Sequence, residues 1–244
     1  MEYHLMFYFL LPIVAFLYAS VGHGGASGYL ALMAFFGASA SMMKSSALVL
    51  NIMVAALSFY FFYKNKYFKW TLFYPFAISS IPFAFVGGYL SITPTLYKQI
   101  LAIVLLFSIL RLLGFLGKET PQQKQIKLWQ GLTIGAAIGL LSGMIGIGGG
   151  IILSPVILIF KWADMKTTAA TSALFIWANS IAALIGVLLA GHFQADPNTP
   201  NLIFLAFVGA LLGAFAGSKK FNNKTLRRVL AIVLALASVK LITT

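Results

Sequence analysis

Long apolar runs separated by short polar segments fill most of the chain. Each run is about 20 residues long, which is the length of a helix that crosses a bilayer core of about 30 Å. The runs do not show the strict alternation of β-barrel strands. The pattern therefore predicts an all-α polytopic membrane protein with spans at about 42–62, 70–92, 96–116, 167–191, 200–217 and 222–242.

Glycine clusters interrupt two further apolar runs. "GHGGASG" begins at Gly22 and "GMIGIGGG" begins at Gly143. At 1.5 Å per residue, the 13 residues at 28–40 reach only about 20 Å, which is too short for a full crossing. We predict that each run folds back at its glycines, near mid-membrane, as a short helical hairpin: 5–21 with 28–40, and 128–143 with 150–161.

Composition narrows the partners and the chemistry. The chain has 244 residues, of which 61% are hydrophobic and 9% charged, so its main partner is the lipid bilayer. The net charge of +13 is scattered over short loops, which argues against nucleic-acid binding. Cysteine is absent, and we expect no cofactor and no metal. Because the N-terminus carries Glu2 and lacks a basic region, we interpret it as a retained membrane segment.

The chain contains an internal repeat. "LAIVL" occurs at 101–105 and again at 230–234, "SSAL" at Ser45 corresponds to "TSAL" at Thr171, and "GHGG" corresponds to "GIGG", all in the same order. Each copy comprises one hairpin followed by three spans. The predicted organisation is membrane repeat 1 at 1–116, a cytoplasmic linker at 117–127, and membrane repeat 2 at 128–244.

Basic residues favour the hairpins over full crossings. If both glycine-broken runs cross fully, eight Lys and Arg lie on one side and nine on the other, which selects no orientation. If both fold back, fourteen lie on one side and only Lys44, Lys98 and Lys240 on the other, the asymmetry of a cytoplasmic face. The fold-back arrangement predicts two inverted repeats, with both termini outside the cytoplasmic membrane. Inverted repeats are common in secondary transporters.

The glycine turns predict an anion site. Glycine adopts positive φ and lets a ligand approach the backbone N–H groups, which here begin helices near Ser27 and Gly150. The acidic residues all lie at termini or in loops, so no carboxylate is available at depth for a cation. They are Glu2, Glu119, Asp164 and Asp196.

Candidate ligands come from both repeats. The turns contribute Gly22, His23, Gly24, Gly25, Ser27, Gly146, Gly148, Gly149 and Gly150, and the helices that follow contribute Ser46, Asn51, Thr171, Ser172 and Asn179. His23 occurs in one copy only and could bind the ligand, carry a proton or stabilise the turn. The polar helix residues could instead join helices to one another. We interpret six other glycines as helix-packing residues: Gly87, Gly88, Gly135, Gly139, Gly209 and Gly213.

Two pairs of segments carry a family resemblance: "GMIGIGGGIILSPVILIF" with "KTTAATSALF", and the weaker copy "SVGHGGASGYLALMAFFG" with "MMKSSALVLN". They resemble the TauE/SafE family of sulfite exporters. The resemblance covers essentially the whole chain. It implies transport, usually export, of small sulfur oxyanions or organosulfonates across the cytoplasmic membrane. The first copy departs from the family pattern at Ala26, where the second has Gly150.

The resulting hypothesis is a secondary transporter and not an enzyme, since a histidine without a carboxylate or cysteine at depth offers little catalytic machinery. An anion channel and a structural membrane subunit are the alternatives. The residues leave open which anion moves, which ion is coupled, and whether the bundle forms a homodimer.

Overall fold

The computed structural model describes residues 5–20, 22, 24–112, 124–194 and 198–219, and all its regular structure there is helical. Among the described residues, five helices are long and apolar enough to cross a membrane: Ala40–Lys64, Trp70–Tyr89, Leu128–Ile145, Met165–Leu189 and Thr199–Ser218. The bounds are α1 Leu5–Ser20, α2 Ala26–Phe35, α3 Ala40–Lys64, α4 Trp70–Tyr89, α5 Pro94–Leu112, α6 Leu128–Ile145, α7 Gly150–Ile159, α8 Met165–Leu189 and α9 Thr199–Lys219. An all-α polytopic membrane protein is confirmed.

The predicted spans agree with these bounds within a few residues over the described part of the chain. The span at 222–242, the second copy of "LAIVL" and most of the linker lie outside it. Helix lengths recur along the chain, since α2 and α7 both have 10 residues and α3 and α8 both have 25. The domain boundaries themselves stay a prediction.

Each glycine-broken segment ends close to the place in the bundle where it begins. The rings of Phe7, near the start of α1, and Phe36, just after α2, lie 5.6 Å apart between centroids. Just before α6, the backbone N–H of Lys124 donates to the carbonyl oxygen of Lys161, just after α7, at 2.8 Å. Helices α1 with α2, and α6 with α7, thus form two hairpins.

Glycines join the first helix of each hairpin to a long helix from the other half of the chain. A Cβ on Gly139 in α6 would stand 2.3 Å from Ser80 O in α4, and one on Gly209 in α9 would stand 2.1 Å from Pro12 O in α1. An added Cβ at such a distance would clash, so glycine allows the two backbones to come into direct contact, as small residues do between membrane helices. The packing role predicted for Gly87, Gly88, Gly135, Gly139, Gly209 and Gly213 is confirmed, because each faces backbone atoms of a neighbouring helix.

The order of these contacts gives the helix directions. Gly209, Gly213 and Gly217 of α9 meet residues 12, 16 and 20 of α1, so the two helices run the same way. The α4–α6 pair is parallel by the same criterion.

The long helices α3 and α8 cross the centre in opposite directions. Leu48, near the start of α3, clusters with Ala183 and Val187 near the end of α8. Phe62, near the end of α3, clusters with Ala169 and Ala170 near the start of α8. We call α1, α3 and α9, which pack together, one lobe of the bundle, and α4, α6 and α8 the other. The two lobes meet at the contact between α3 and α8, and each combines helices from the first and second halves of the chain.

Candidate anion-binding site

Two glycine turns connect the arms of the hairpins. We call residues 22–25 the first turn and residues 146–149 the second turn. Five of their glycines have φ between +70° and +88°, a region that a side chain disfavours. They are Gly22, Gly25, Gly146, Gly148 and Gly149. Only glycine forms both turns without backbone strain.

The leading glycine of each turn lies against the long central helix from the other half of the chain. A Cβ on Gly22 would stand 2.7 Å from the carbonyl oxygen of Ala169 in α8. A Cβ on Gly146 would stand 3.0 Å from the carbonyl oxygen of Lys44 in α3. Each turn therefore packs against a helix from the other half of the chain.

Both turns then converge on Asn51 of α3 and Ile176 of α8. A Cβ on Gly24 would stand 2.7 Å from Asn51 Oδ1 and 2.8 Å from Ile176 Cγ2. A Cβ on Gly148 would stand 2.6 Å from the same Ile176 methyl and 3.3 Å from Asn51 Nδ2. One on Gly150 would meet Ile176 Cδ1 at 2.4 Å. One aliphatic side chain and one amide thus separate the two turns.

Backbone hydrogen bonds show which turn amides are engaged. Gly22 N donates to Ala19 O at 3.1 Å and Gly146 N to Ser142 O at 2.8 Å, so these two amides complete the preceding helices. The helical ladder begins again when Tyr29 N donates to Gly25 O, and when Ile152 N donates to Gly149 O. The amides at the starts of α2 and α7, which precede those donors, are the ones a helix leaves without an intrahelical acceptor.

Several buried side-chain oxygens in the described part of the chain have no hydrogen-bond partner. Within the described residues they belong to Tyr29, Ser46, Asn51, Ser58, Ser80, Thr171, Asn179 and Ser180. Leaving such a group unsatisfied costs about 1–3 kcal/mol, so a ligand, a water molecule or a change of rotamer that supplies a partner would be favourable. Asn51 Oδ1 lies beside Gly24, and Ser180 Oγ would lie 2.8 Å from a Cβ on Gly148.

The predicted ligands divide into two groups. Gly24, Asn51, Gly148 and Gly150 meet at the centre. The carbonyl oxygen of Ser172 would lie 3.2 Å from a Cβ on Gly150.

The other predicted residues have different surroundings. The hydroxyl of Ser27 bonds to that of Tyr18. Gly25 and Gly149 face the aromatic rings of Tyr29 and Phe175. Ser46, Thr171 and Asn179 are buried, but none is among the nearest neighbours of the turn glycines, and Asn179 Nδ2 donates to its own helix. His23 lies outside the described residues.

Sequence reasoning missed three residues here. Ile176 had no signal, because an isoleucine in an apolar helix is indistinguishable from any core residue. Ser180 follows Asn179 directly, and this polar pair in the middle of α8 could have indicated it. Tyr29, whose ring lies against Gly25, is a fully buried phenol with an unsatisfied hydroxyl.

The convergence point is closed to solvent in this conformation. Asn51 and Ser180 are fully buried and Ile176 is 1% exposed. Ile176, a flexible side chain and not a backbone segment, fills the space beside Gly24, Gly148 and Gly150. The arrangement is an occluded polar centre between two oppositely placed helix starts.

The fold is that of a multi-pass α-helical membrane protein in which two glycine-turned hairpins meet at the centre of the bundle. The family model described as sulfite exporter TauE/SafE matches residues 7–241. The chain therefore belongs to the TauE/SafE family.

Curated relatives agree with this assignment. "Probable membrane transporter protein y4hK" of Sinorhizobium fredii is 36% identical over 235 residues, which are 94% of each chain. "Probable membrane transporter protein YunE" of Bacillus subtilis is 31% identical over 115 residues, 46% of this chain and 40% of the relative. "Probable membrane transporter protein MamO" of Magnetospirillum gryphiswaldense is 28% identical over 140 residues, 52% of this chain and 22% of the relative. No solved structure matches.

Proposed function

We propose that this protein is a secondary transporter that moves a small sulfur-containing anion, sulfite or an organosulfonate, by alternating access. The observation that carries the proposal is the meeting of both glycine turns at Asn51 and Ile176. The family's description as sulfite exporters and the relatives' description as membrane transporters support the transport class. Export from the cytoplasm is the direction that the family name suggests.

The electrostatics of the centre favour an anion. Helix starts present N–H groups and the positive end of the helix dipole, and α2 and α7 both begin at the convergence point. The central polar groups, Asn51 and Ser180, are neutral and can each donate a hydrogen bond. Asn51 Nδ2 has only a long bond of 3.4 Å to Gly146 O, so it can turn to a ligand at little cost.

Helix directions support two inverted repeats, 1–116 and 128–244, joined by the linker 117–127. In each repeat the hairpin's first helix runs parallel to the partner repeat's long helix, and α3 opposes α8. The bundle places Lys44 and Lys98 near one face. At the opposite face lie the ends of α3 and α7 and the starts of α4, α6 and α8. The basic residues at these helix ends are Lys64, Lys66, Lys69, Lys124, Lys127, Lys161 and Lys166. The richer face would be cytoplasmic, with both termini outside.

The exchanged helices suggest how access would alternate. Because each lobe holds helices of both repeats, a relative tilt of the lobes would move α3 against α8, and Ile176 with it. Opening of the bundle at one face would expose the turns to the solvent on that side, while the glycine contacts between the parallel helices within each lobe stay intact. The occluded arrangement described above would be the intermediate of that cycle.

Flux through the purified protein tests this function. The protein is reconstituted in phosphatidylcholine liposomes, and uptake of sulfite, sulfate, thiosulfate, sulfoacetate and taurine is compared. We expect saturable uptake of sulfite or a sulfonate, with acceleration by the same anion inside the vesicle. Non-saturable flux without counterflow would favour a channel, and no flux of any of the five would contradict the proposal.

A further inference from the structure

A cavity of about 630 Å³ opens at the face where α3 begins. We call it the Lys44 cavity. Its wall is formed by the chain before and at the start of α3, the loop from α4 into α5, and the loop after α8. Within the described part of the chain its lining includes Lys44, Lys98 and His192 and contains no Asp or Glu. The cavity is therefore a basic surface of the size of a small-molecule site.

Lys44 is part-buried at the wall of this cavity and has no carboxylate partner among the described residues. Its ammonium group donates to the carbonyl oxygens of Gly87 at 3.2 Å, Gly88 at 3.0 Å and Leu90 at 3.4 Å. These oxygens end helix α4, so they offer partial negative charge but no neutralising anion. Burying an ammonium group without a counter-ion costs free energy, which an anion in the cavity would offset.

Further donors line the same space. His192 Nε2 shares a hydrogen bond of 2.7 Å with Ser91 Oγ, and both lie on the cavity wall. Lys98 lies on the neighbouring helix α5. Hydroxyl, imidazole and ammonium groups together are the usual ligands of sulfur and phosphorus oxyanions.

The cavity adjoins the second turn. Tyr97 lines the cavity, and its hydroxyl donates to Ile145 O at 3.1 Å, one residue before Gly146. Gly146 in turn packs on the backbone of Lys44, and Asn51 Nδ2 donates to Gly146 O. A chain of direct contacts thus leads from the cavity to the central polar residues.

We propose that the Lys44 cavity is a second anion site, separate from the turns, which holds a small sulfur oxyanion against Lys44, Lys98 and His192 on its way to or from the centre. The inference rests on the proposed function for the identity of the anion. When the anion arrives, the Lys44 ammonium exchanges some of its carbonyl acceptors for the anion's oxygens, which loosens α3 from the end of α4. The site thereby joins anion capture to the contact between the two lobes.

Binding stoichiometry tests the inference. Sodium sulfite is titrated calorimetrically, under nitrogen and at constant ionic strength in gluconate, into protein in phosphatidylcholine nanodiscs. We expect two sites in the natural protein. Gly148→Val should retain only the cavity site, and adding Lys44→Gln to it should weaken the remaining binding at least about tenfold, a loss of about 1.4 kcal/mol.

Lys166→Gln is the matched control for that binding. Lys166, at the start of α8, also donates to a helix carbonyl, that of Gly217 in α9, but it does not line the cavity. We expect Gly148→Val with Lys166→Gln to bind as Gly148→Val alone. If Lys44→Gln fails to fold, Lys98→Gln should weaken the same step about threefold, and Lys44→Arg should retain it.

Three results would overturn the inference: a single site in the natural protein, no sulfite binding by Gly148→Val, or equal binding with and without Lys44→Gln. No sulfite binding in phosphatidylcholine nanodiscs, combined with Lys44-dependent binding of phosphatidylglycerol when that lipid is added to the nanodiscs, would assign the cavity to a lipid headgroup and also overturn the inference. Failure of the transport function is distinguishable, because sulfite would then bind the cavity in a Lys44-dependent way without crossing liposomes.

Discussion

The glycines of the helix contacts and the glycines of the turns meet different kinds of neighbour. Gly139 and Gly209 face carbonyl oxygens of a packed helix, which cannot move without moving the helix. Gly24 and Gly148 face the ends of Asn51 and Ile176, which can change rotamer. Equally crowded glycines therefore have different roles. Gly139 and Gly209 hold neighbouring helices together within each lobe, whereas Gly24 and Gly148 border a space that a ligand can open.

The largest effect is expected at a helix contact. Gly139→Val places its side chain on Ser80 O, where a Cβ alone would already stand 2.3 Å away. Overpacking against backbone costs about 1–3 kcal/mol or more, so we expect the folded, monodisperse protein to be lost. Fluorescence-detected size exclusion measures this. A fully folded Gly139→Val protein would contradict the distinction between the two kinds of glycine.

At the second turn, Gly148→Ala should spare the fold and impair transport. Both Gly148 and Gly191 have φ of +70°, but a Cβ on Gly191 has no atom within 4 Å. Each alanine pays the same left-handed strain, about 1–2 kcal/mol, and only Gly148→Ala also intrudes on Ile176 and Ser180.

We therefore expect sulfite uptake to fall at least about tenfold in Gly148→Ala, a barrier increase of about 1.4 kcal/mol, and less than about threefold in Gly191→Ala, which adds one uncrowded methyl group to the wall of the Lys44 cavity. Uptake in liposomes at equal protein content is the measurement. Equal loss in both variants would show that strain, and not contact with the centre, is responsible.

Ile176→Ala removes the methyl groups that separate the turns. The loss of buried volume should cost about 2–5 kcal/mol of stability. Ile157→Ala makes the same change near the far end of α7, in the buried cluster that includes Phe76 and Trp162, at a residue that is not among the nearest neighbours of the turn glycines. We expect only Ile176→Ala to change the apparent KM for sulfite or to admit larger sulfonates, measured by competition in liposomes. Indistinguishable competition profiles would remove Ile176 from the site.

The smallest effect should separate the two mid-span asparagines. Asn51→Leu removes the amide between both turns, whereas the Asn179 amide donates to Phe175 O within its own helix at 2.9 Å. We expect sulfite affinity to fall about tenfold in Asn51→Leu and less than about threefold in Asn179→Leu. Calorimetric titration compares them, and a larger loss in Asn179→Leu would move the site toward α8.

Periodicity and run length were sufficient to predict the described helices, because a bilayer demands helices of a known length. The glycine turns were predictable as turns, since few other roles explain such clusters within an apolar run. Which residues face each other across the bundle was not, because Ile176 carries no chemical signature and its role arises only from packing between repeats. The packing role of glycines such as Gly135 and Gly139 was predictable, because small residues commonly let membrane helices approach each other closely.

The central claim is that a sulfur oxyanion binds where the two turns meet. A structure of the protein with selenite, the heavier analogue of sulfite, locates the anion by its anomalous scattering. The account predicts a peak between Gly24 and Gly148, within hydrogen-bonding distance of Asn51 and the first amides of α2 and α7, with the Ile176 side chain displaced. Selenite found elsewhere in the protein, with Ile176 still packed against both turns, would contradict it.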